Sequence, residues 1–280
     1  MGTLYLVSTP IGNLEDITQR ALRVLREASL IAAEDTRTAR KLLSAYGIAT
    51  PVVSYHEQGG RPHLEPILQR LQSGDVALVS EAGTPGVSDP GFELVRAALA
   101  AGHHVVPVPG PSALTAALAV AGVPVDQFTY VGFLPRRRAQ RRRLLGELAA
   151  SPRTSVAFEA PHRLRATLED MEQALGPRPL AVCRELTKLH EEVFRGTPAE
   201  ALAHFQQPRG EFTLVFAGTP AEDRRSSTGD SAALRRRLGA LRRQGLRAKE
   251  AVGQVAAETG VSRRLVYQEW LRLSPPRTLT

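Results

Sequence analysis

Short apolar runs alternate with amphipathic stretches over the first 120 residues. The runs are continuous and rich in Val, Leu, Ile and Ala, which predicts strands that are covered on both faces. Between them, apolar residues recur at i, i+3 and i+4, the spacing of helices with one buried face. The predicted strands lie at 4–8, 30–33, 52–55, 76–80 and 104–108, and the predicted helices at 18–28, 37–46, 62–72 and 92–101. This order predicts an α/β domain built on a mostly parallel sheet.

The alternation resumes after AVAGVPVDQF at 119–128, which we interpret as the joint between two domains. Further along, the polar residues from 221 show no hydrophobic period and are typical of a linker. The strands of the second unit are predicted at 129–133, 154–158, 180–184, 192–195 and 211–217, and its helices at 139–150, 163–175 and 198–205. The chain is therefore predicted to contain two α/β domains, a linker and a helical appendix, at 1–120, 121–222, 223–232 and 233–280.

The formal net charge of +8 lies entirely in the last fifty residues. Residues 1–230 contain 25 basic and 25 acidic residues, whereas residues 231–280 contain 11 basic and 3 acidic ones. Such asymmetry favours a module that meets a polyanion, and a solvated helix face is the alternative interpretation.

The same basic segment shows a helix-turn-helix pattern. An apolar stripe at 251–256 is followed by a turn at 258–260 and by Ser262, a residue type preferred at helix N-caps. Arg263 and Arg264 stand near the start of the second helix, where we predict that they contact RNA.

Composition restricts the class of protein further. The single cysteine, Cys183, excludes a disulfide within the chain and is interpreted as a small buried apolar residue. There is no run of about 18 apolar residues to span a membrane, and the N-terminal sequence lacks the features of a signal peptide. We therefore expect a cytoplasmic protein without a membrane partner.

Three loops rich in glycine or proline follow predicted strands 1, 4 and 5, at 9–14, 80–91 and 109–113. Open α/β sheets bind ligands at this edge, so the loops predict a pocket. The chain has neither a G-x-G-x-x-G sequence after the first strand nor a P-loop sequence. Because the three loops contain no Lys or Arg, the pocket favours a neutral or cationic ligand over a polyphosphate, without naming one.

Seven motifs carry a family resemblance. They are STPIGNLEDI, AEDTRT, SEAGTPGVSDPG, PGPSA, GFLPRR, FEAPHR and RELTKLHEE followed by RGT. In this order they resemble the family of ribosomal RNA small subunit methyltransferase I, within the tetrapyrrole-methylase superfamily, from residue 3 to about 220 and more weakly beyond. The resemblance implies two α/β domains of tetrapyrrole-methylase type with S-adenosylmethionine in the cleft between them. It further implies methylation of the ribose 2′-hydroxyl of a cytidine in the decoding region of small-subunit (16S) ribosomal RNA.

The resemblance also implies the residues that line the site of the methyl donor. They are Pro10, Gly83, Val87, Ser88, Ser112 and Ala113 from the first domain, and Phe158, Glu159, Leu186 and Thr213 from the second. This chain departs from the family pattern at Glu81, where Asp is usual, and at Phe158 and Ala160, where Tyr and Ser are common. Without a phenolic hydroxyl, residue 158 is expected to stack or pack.

Methyl transfer from a sulfonium to a ribose oxygen needs alignment, exclusion of water and a base, which contributes about 10²–10⁴-fold in rate. The candidate bases are Lys188, Glu185 and Asp35, since a buried lysine can lose its proton whereas arginine cannot. An ion pair is the alternative for Lys188, and a helix cap or salt bridge is the alternative for Asp35. The seven histidines show no metal-ligand spacing, and no metal is predicted.

Six arginines crowd positions 136–143, where like charges destabilise a helix unless a polyanion binds. We predict RNA-backbone contacts there and at a helix start after FEA, where an N-terminus favours phosphate. The predicted contact residues of the two α/β domains are Arg37, Arg136, Arg137, Arg138, Arg141, Arg142, His162 and Arg163.

Two other functions remain open from the sequence. The superfamily allows a methyltransferase that acts on a tetrapyrrole, although such a substrate needs no basic helical appendix. A non-enzymatic nucleic-acid-binding regulator would bind duplex DNA and transfer no methyl group. The partner expected first is small-subunit ribosomal RNA within the assembled 30S subunit, with a homodimer expected by superfamily analogy.

Overall fold

The computed structural model describes residues 1–56, 61–219, 233–259, 261 and 263–273. They belong to two compact units, Met1–Gly218 and Thr219–Thr280, each of which is described by itself. The predicted linker at 223–232 lies outside the described residues, and the predicted domain boundaries remain predictions.

The first sheet consists of five parallel strands in the order β3-β2-β4-β1-β5, which confirms the predicted parallel α/β arrangement. The strands are β1 (Thr3–Val7), β2 (Leu30–Ala33), β3 (Val52–Ser54), β4 (Val76–Val79) and β5 (His104–Val108). The helices are α1 (Gln19–Glu27), α2 (Thr36–Ala45), α3 (Arg61–Ser73), α4 (Phe92–Ala100) and α5 (Ala113–Val120). Buried clusters lie on both faces of this sheet, as continuous apolar strands require.

The second sheet is mixed, in the order β6-β7-β10-β8-β9. Its strands are β6 (Phe128–Phe133), β7 (Thr154–Glu159), β8 (Leu180–Arg184), β9 (Glu192–Gly196) and β10 (Phe212–Phe216). Only β6 and β7 are parallel, and the other three pairs are antiparallel. The helices are α6 (Arg138–Ala149), α7 (Pro161–Leu175) and α8 (Pro198–His204). Strand β10 lies between β7 and β8 and is antiparallel to β7. The first residue of β10, Phe212, therefore lies beside the last residue of β7, Glu159.

A shared hydrophobic core joins the two sheets. From the first domain it includes Ala117 and Leu118 of α5, and from the second it includes Val156 of β7 and Val215 of β10. Ile11, from the loop after β1, packs in the same cluster. This core fixes the loops of the first sheet opposite the ends of β7 and β10.

In its described residues the C-terminal unit contains three helices: a helix over residues 233–243 (α9), α10 (Ala248–Thr259) and α11 (Arg263–Leu271). The predicted pattern included only the last two. Their common core consists of Leu234, Leu238, Leu241, Ala251, Val252, Val255 and Val266. The predicted N-cap, Ser262, lies outside the described residues. None of the helices in the described part of the chain has the length and apolar character to cross a membrane.

Candidate active site

A cavity of about 340 Å³ lies between the two sheets. Its walls come from the loops after β1, β4 and β5, from the end of β7 and from the start of β10. Eight of the ten predicted donor-site residues line it: Gly83, Val87, Ser88, Ser112, Ala113, Phe158, Glu159 and Thr213. The other two lie elsewhere, since Pro10 lines an adjacent cavity and Leu186 packs in the core that joins the sheets.

Backbone geometry shapes the first wall of this cavity. The amide groups of Thr9 and Gly83 each donate to the other's carbonyl oxygen at 2.9 Å, which ties the loop after β1 to the loop after β4. Gly83 has φ 77°, a conformation that only glycine adopts without strain. Ser88 also has positive φ, 64°, and its hydroxyl is held 2.5 Å from that of Tyr130. The loop is therefore anchored to the second sheet through a side chain that the sequence analysis did not single out.

Four carboxylates and no basic side chain line the cavity among the residues that the structure describes. Glu159 is 2% exposed and is paired internally, because Thr167 donates to it at 2.6 Å and Arg163 lies 3.1 Å away. Burial raises the pKa of Asp89, and the charge of Glu81 adds to the effect. This negative lining favours a ligand with a positive centre, such as a sulfonium or an ammonium group.

Another carboxylate near this lining is Glu34, which directly follows β2. Burial raises the pKa of Glu34, and the charges of Asp89 and Glu81 raise it further. Both Asp89 and Glu34 were missed as site residues, although Asp89 lies in the predicted pocket loop at 80–91 and Glu34 directly follows a predicted strand. Their proximity across different strands could not be read from the sequence.

An aromatic group borders the second-domain side of the cavity. The ring of Phe158 meets those of Tyr130 and Phe133 edge to face, at centroid distances of 5.3 and 5.7 Å. Both Phe158 and Phe133 line the cavity, and Phe133 is exposed. The expected packing or stacking role of residue 158 agrees with this placement.

Lys188 does not have the environment of a base. Its ammonium group lies 2.9 Å from Glu185 and 3.0 Å from Glu211. Burial lowers the pKa of Lys188, but the hydrogen bonds to the two carboxylates outweigh it, so the pKa is raised. The same pairing helps to hold the pKa of Glu185 low against its burial. A charged lysine cannot accept a proton, and the ion pair considered as the alternative is what the structure contains.

Asp35 caps a helix. Its carboxylate accepts hydrogen bonds from the amide groups of Arg37 and Thr38, at 2.7 and 3.4 Å, and pairs with the guanidinium of Arg37 at 3.1 Å. Hydrogen bonding to Arg37 lowers the pKa of Asp35. Because of this cap, α2 begins at Thr36, one residue before the predicted start. Neither Asp35 nor Lys188 nor Glu185 is among the residues that line the described cavities.

Two arginines predicted to bind RNA are structural instead. Arg141 is 5% exposed, and its guanidinium lies 2.7 Å from Asp170, a fully buried carboxylate. Arg163 pairs with Glu159 and donates to the carbonyl oxygens of Leu134 and Pro135. These guanidinium groups are committed to internal partners, which corrects the RNA-contact prediction for both residues.

The other predicted RNA contacts remain at the surface. Arg136, Arg137, Arg37, His162 and Arg263 are exposed, although Arg37 also pairs with Asp35. Arg138 and Arg142 are exposed and extend towards Asp170, at 3.0 and 3.8 Å. The side chain of Arg264 lies outside the described residues.

A second cavity, of about 220 Å³, adjoins the first. It lies between the loop after β1, the end of β4 and helix α2. Its lining residues include Thr9, Pro10, Leu14, Thr38, Lys41, Leu42 and Ser80. Glu81 lines both cavities.

The chain is similar to known proteins over almost its whole length. A family model described as Tetrapyrrole (Corrin/Porphyrin) Methylases matches residues 3–202, and one described as RsmI C-terminal HTH domain matches residues 228–274. Ribosomal RNA small subunit methyltransferase I of Synechocystis sp. is 49% identical over 277 residues, which cover 98% of this chain and 99% of that protein. This chain belongs to that family. A relative of the same name from Thermotoga maritima is 50% identical over 221 residues, covering 78% of this chain and 99% of its own.

Membership confirms the resemblance stated from the motifs, and solved structures support the fold. A cobalt precorrin-4 methyltransferase aligns with a TM-score of 0.57 and 19% identity, covering 77% of this chain and 94% of its own. The uroporphyrin III C-methyl transferase of Thermus thermophilus aligns with a TM-score of 0.55 and 21% identity, covering 77% and 97%. At such identities the likeness establishes the two-domain α/β fold alone.

Proposed function

We propose that this protein transfers a methyl group from S-adenosylmethionine to small-subunit ribosomal RNA, at the ribose 2′-oxygen of a cytidine in the decoding region. The observation that carries the proposal is the cavity between the two sheets, in a chain whose full-length relatives are named for small-subunit ribosomal RNA methylation. The C-terminal unit, which matches the RsmI C-terminal HTH domain, supports a nucleic acid as the acceptor.

The residues of the larger cavity fit the donor. The absence of a side chain at Gly83 allows close approach of the backbone, and the acidic lining complements the positive sulfonium and amino groups. When bound, S-adenosylmethionine supplies an activated methyl group on a good leaving group. The Ser88–Tyr130 pair fixes the loop that forms one wall, and Phe158 offers an apolar face for a heterocycle.

The main contributions of the chain to the reaction are to align the donor with the acceptor and to exclude water, since the methyl group is already activated by the sulfonium. The shared core holds the loops of both sheets around one cavity, so donor and acceptor can be placed in line without a large rearrangement. We further propose that the acceptor is RNA in the assembled 30S subunit, and that the protein acts in the cytoplasm as a homodimer.

Methyl transfer from radiolabelled S-adenosylmethionine tests the proposal. Unmethylated small subunits, naked RNA and a uroporphyrinogen-type compound are offered in parallel. Label in subunit RNA, recovered as an alkali-resistant dinucleotide, is the expected result, since a 2′-O-methyl group blocks cleavage by alkali. Label only in the tetrapyrrole, or in none of the three, would overturn the proposal.

A further inference from the structure

The second cavity has a composition that suits a different ligand from the first. The larger cavity is lined by four carboxylates and, in the described part of the chain, by no basic side chain. The smaller one is lined by one carboxylate, Glu81, and by one ammonium group, that of Lys41. Lys41 is exposed, and no acidic side chain of the described residues is within salt-bridge distance of it. Of these two cavities, the smaller one therefore offers an anionic ligand a counter-charge and the larger one does not.

The remaining lining of this cavity matches a nucleoside. Pro10, Leu14 and Leu42 supply apolar surface for the face of a base, and the exposed Thr38 supplies a hydroxyl group for a ribose. The hydroxyls of Thr9 and Ser80 instead donate to carbonyl oxygens within the chain. The phenol of Tyr46 donates to the carbonyl oxygen of Leu14 at 2.5 Å, which holds the loop after β1 in place. Enzymes that act on a base within a duplex take that nucleotide out of the stack into a pocket, and a pocket of this composition suits a nucleotide presented in the same way.

On this basis, and resting on the proposed function, we infer that the second cavity receives the target nucleotide. Its ribose faces Glu81 at the junction of the two cavities, and its phosphate meets Lys41. The loop after β1 contributes to both cavities, since Ile11 lines the larger one and Pro10 and Gly12 line the smaller one.

Glu81 is the group at the junction that can take the proton. In the reaction the bond from the 2′-oxygen to the methyl carbon forms as the carbon–sulfur bond breaks, which leaves a neutral thioether. The hydroxyl proton passes to the Glu81 carboxylate. Asp89 and Glu34 lie near enough that the charge of Glu81 raises the pKa of both, so a proton taken up by this cluster relieves repulsion.

Two neighbouring residues of α2 provide a matched test. Lys41 lines the second cavity, whereas Arg40 lies beside it in sequence, is equally exposed and lines a separate surface depression. We expect Lys41→Ala to raise KM for unmethylated small subunits about tenfold, the loss of one charge-assisted contact. Arg40→Ala changes KM less than about twofold, as expected of an exposed charge without a ligand. Leu42→Trp fills the cavity and raises KM as Lys41→Ala does.

Binding of S-adenosylmethionine alone, measured by calorimetry, separates the two cavities. Lys41→Ala and Leu42→Trp are expected to leave its Kd unchanged, because they lie outside the donor cavity. Glu81→Gln lowers kcat by about 10²–10⁴-fold, and Glu81→Asp regains part of the loss. Circular dichroism spectra and melting curves of all variants identify any that fail to fold.

The outcomes discriminate between the two proposals. If the wild-type protein methylates no RNA, the proposed function fails. If it does, but Lys41→Ala and Leu42→Trp have the KM of Arg40→Ala, the acceptor binds elsewhere and this inference is wrong. A loss of donor affinity in these variants would make the second cavity part of the donor site, which also overturns the inference.

Discussion

Arg141 and Asp170 form a buried ion pair between helices α6 and α7. The guanidinium donates to one carboxylate oxygen at 3.0 and 2.7 Å, while Arg138 donates to the other at 3.0 Å. A buried ion pair contributes little net free energy to folding, because the cost of desolvating the two charges offsets their attraction. Removing one partner is strongly destabilising, because it leaves the other charge buried and uncompensated. The arginine-rich start of α6 is therefore attached to the domain through Asp170.

Arg141→Met is expected to lower the free energy of unfolding by about 3 kcal/mol, because Asp170 then loses its most buried partner. The double variant Arg141→Met with Asp170→Leu is expected to regain most of that loss. Urea denaturation of the wild type and both variants measures the free energy of unfolding of each. Equal stability of Arg141→Met and wild type would show that Arg138 alone neutralises Asp170.

The same pair predicts a contribution to acid stability. Burial raises the pKa of Asp170, but hydrogen bonds from Arg138 and Arg141 outweigh it, so the pKa lies below its ordinary value of 3.8. A lowered pKa in the folded state gives stability that is present above pH 3.8 and is lost as the pH falls through the folded value. The double variant should therefore lose less stability than wild type between pH 5 and pH 2, as followed by denaturation at each pH.

Lys188→Arg tests whether Lys188 takes the proton. An arginine keeps the charge but cannot act as a base, so full loss of activity would identify Lys188 as the base. Because its pKa is raised by Glu185 and Glu211, we expect Lys188→Arg to keep kcat within a few-fold of wild type. The dependence of kcat on pH should also be unchanged, whereas Lys188→Met, which unpairs two carboxylates, should lower the melting temperature.

Tyr130→Phe removes the hydroxyl that holds Ser88 and leaves the ring contacts with Phe158 in place. Loss of one such hydrogen bond corresponds to about a five-fold change in an equilibrium constant. We expect the Kd for S-adenosylmethionine to rise by that factor, since the loop of Ser88 lines the donor cavity. Tyr267→Phe, an exposed tyrosine of α11, is the control and should leave Kd unchanged.

Arginines on α9 test the role of the C-terminal unit. Arg236 and Arg243 are seven residues apart on its exposed side, and no acid of the described residues pairs with them. Arg235 and Arg237 instead pair with Glu269 and Glu258, both at 2.9 Å. Replacing Arg236 and Arg243 by Gln should reduce the salt dependence of RNA binding by about 1.4 in log–log slope, as for two single-strand phosphate contacts.

The control for this prediction is the double replacement of Arg235 and Arg237 by Gln, which changes the charge equally. It should alter the slope less and lower stability more, because it breaks two ion pairs. We expect the double replacement of Arg236 and Arg243 to raise KM for subunits and to leave kcat unchanged, and a fall in kcat would contradict an RNA-docking role.

The local pattern of apolar residues was enough to predict most helices and strands. Each strand of the first sheet is covered on both faces, and its sequence is therefore a continuous apolar run. They could not distinguish β10 as the antiparallel partner of both β7 and β8, since strand direction depends on distant pairing. The sequence also could not predict which of the arginines at 136–143 form ion pairs within the chain. Asp170 is 29 residues from Arg141, and no spacing rule relates a carboxylate on α7 to one guanidinium among the six at 136–143.

The residues predicted for the donor site line one cavity, whereas the predicted bases do not, and the difference has a physical reason. Glycine, proline and small residues in loops at the ends of neighbouring parallel strands lie close together, and the loops of Gly83 and Ser112 line the same cavity. The state of a titratable group depends instead on partners from other elements. The pKa of Lys188 is raised by Glu185 and also by Glu211, which is 23 residues away, and Asp89 is near Glu34 because β2 and β4 are neighbours.

The core shared by α5 and the second sheet has a consequence for turnover. Swinging the two domains apart would expose Leu118 and Val215 to water, at about 25 cal/mol for each Å² of apolar surface. Such a hinge is therefore disfavoured, and the walls of the donor cavity stay at a nearly constant separation through the reaction cycle. Exchange of spent donor for fresh donor is then expected to proceed by small displacements of the segment 84–91, which lines the cavity. Breaking of the hydrogen bond between Ser88 and Tyr130 is the step of this motion that can limit the rate of product release.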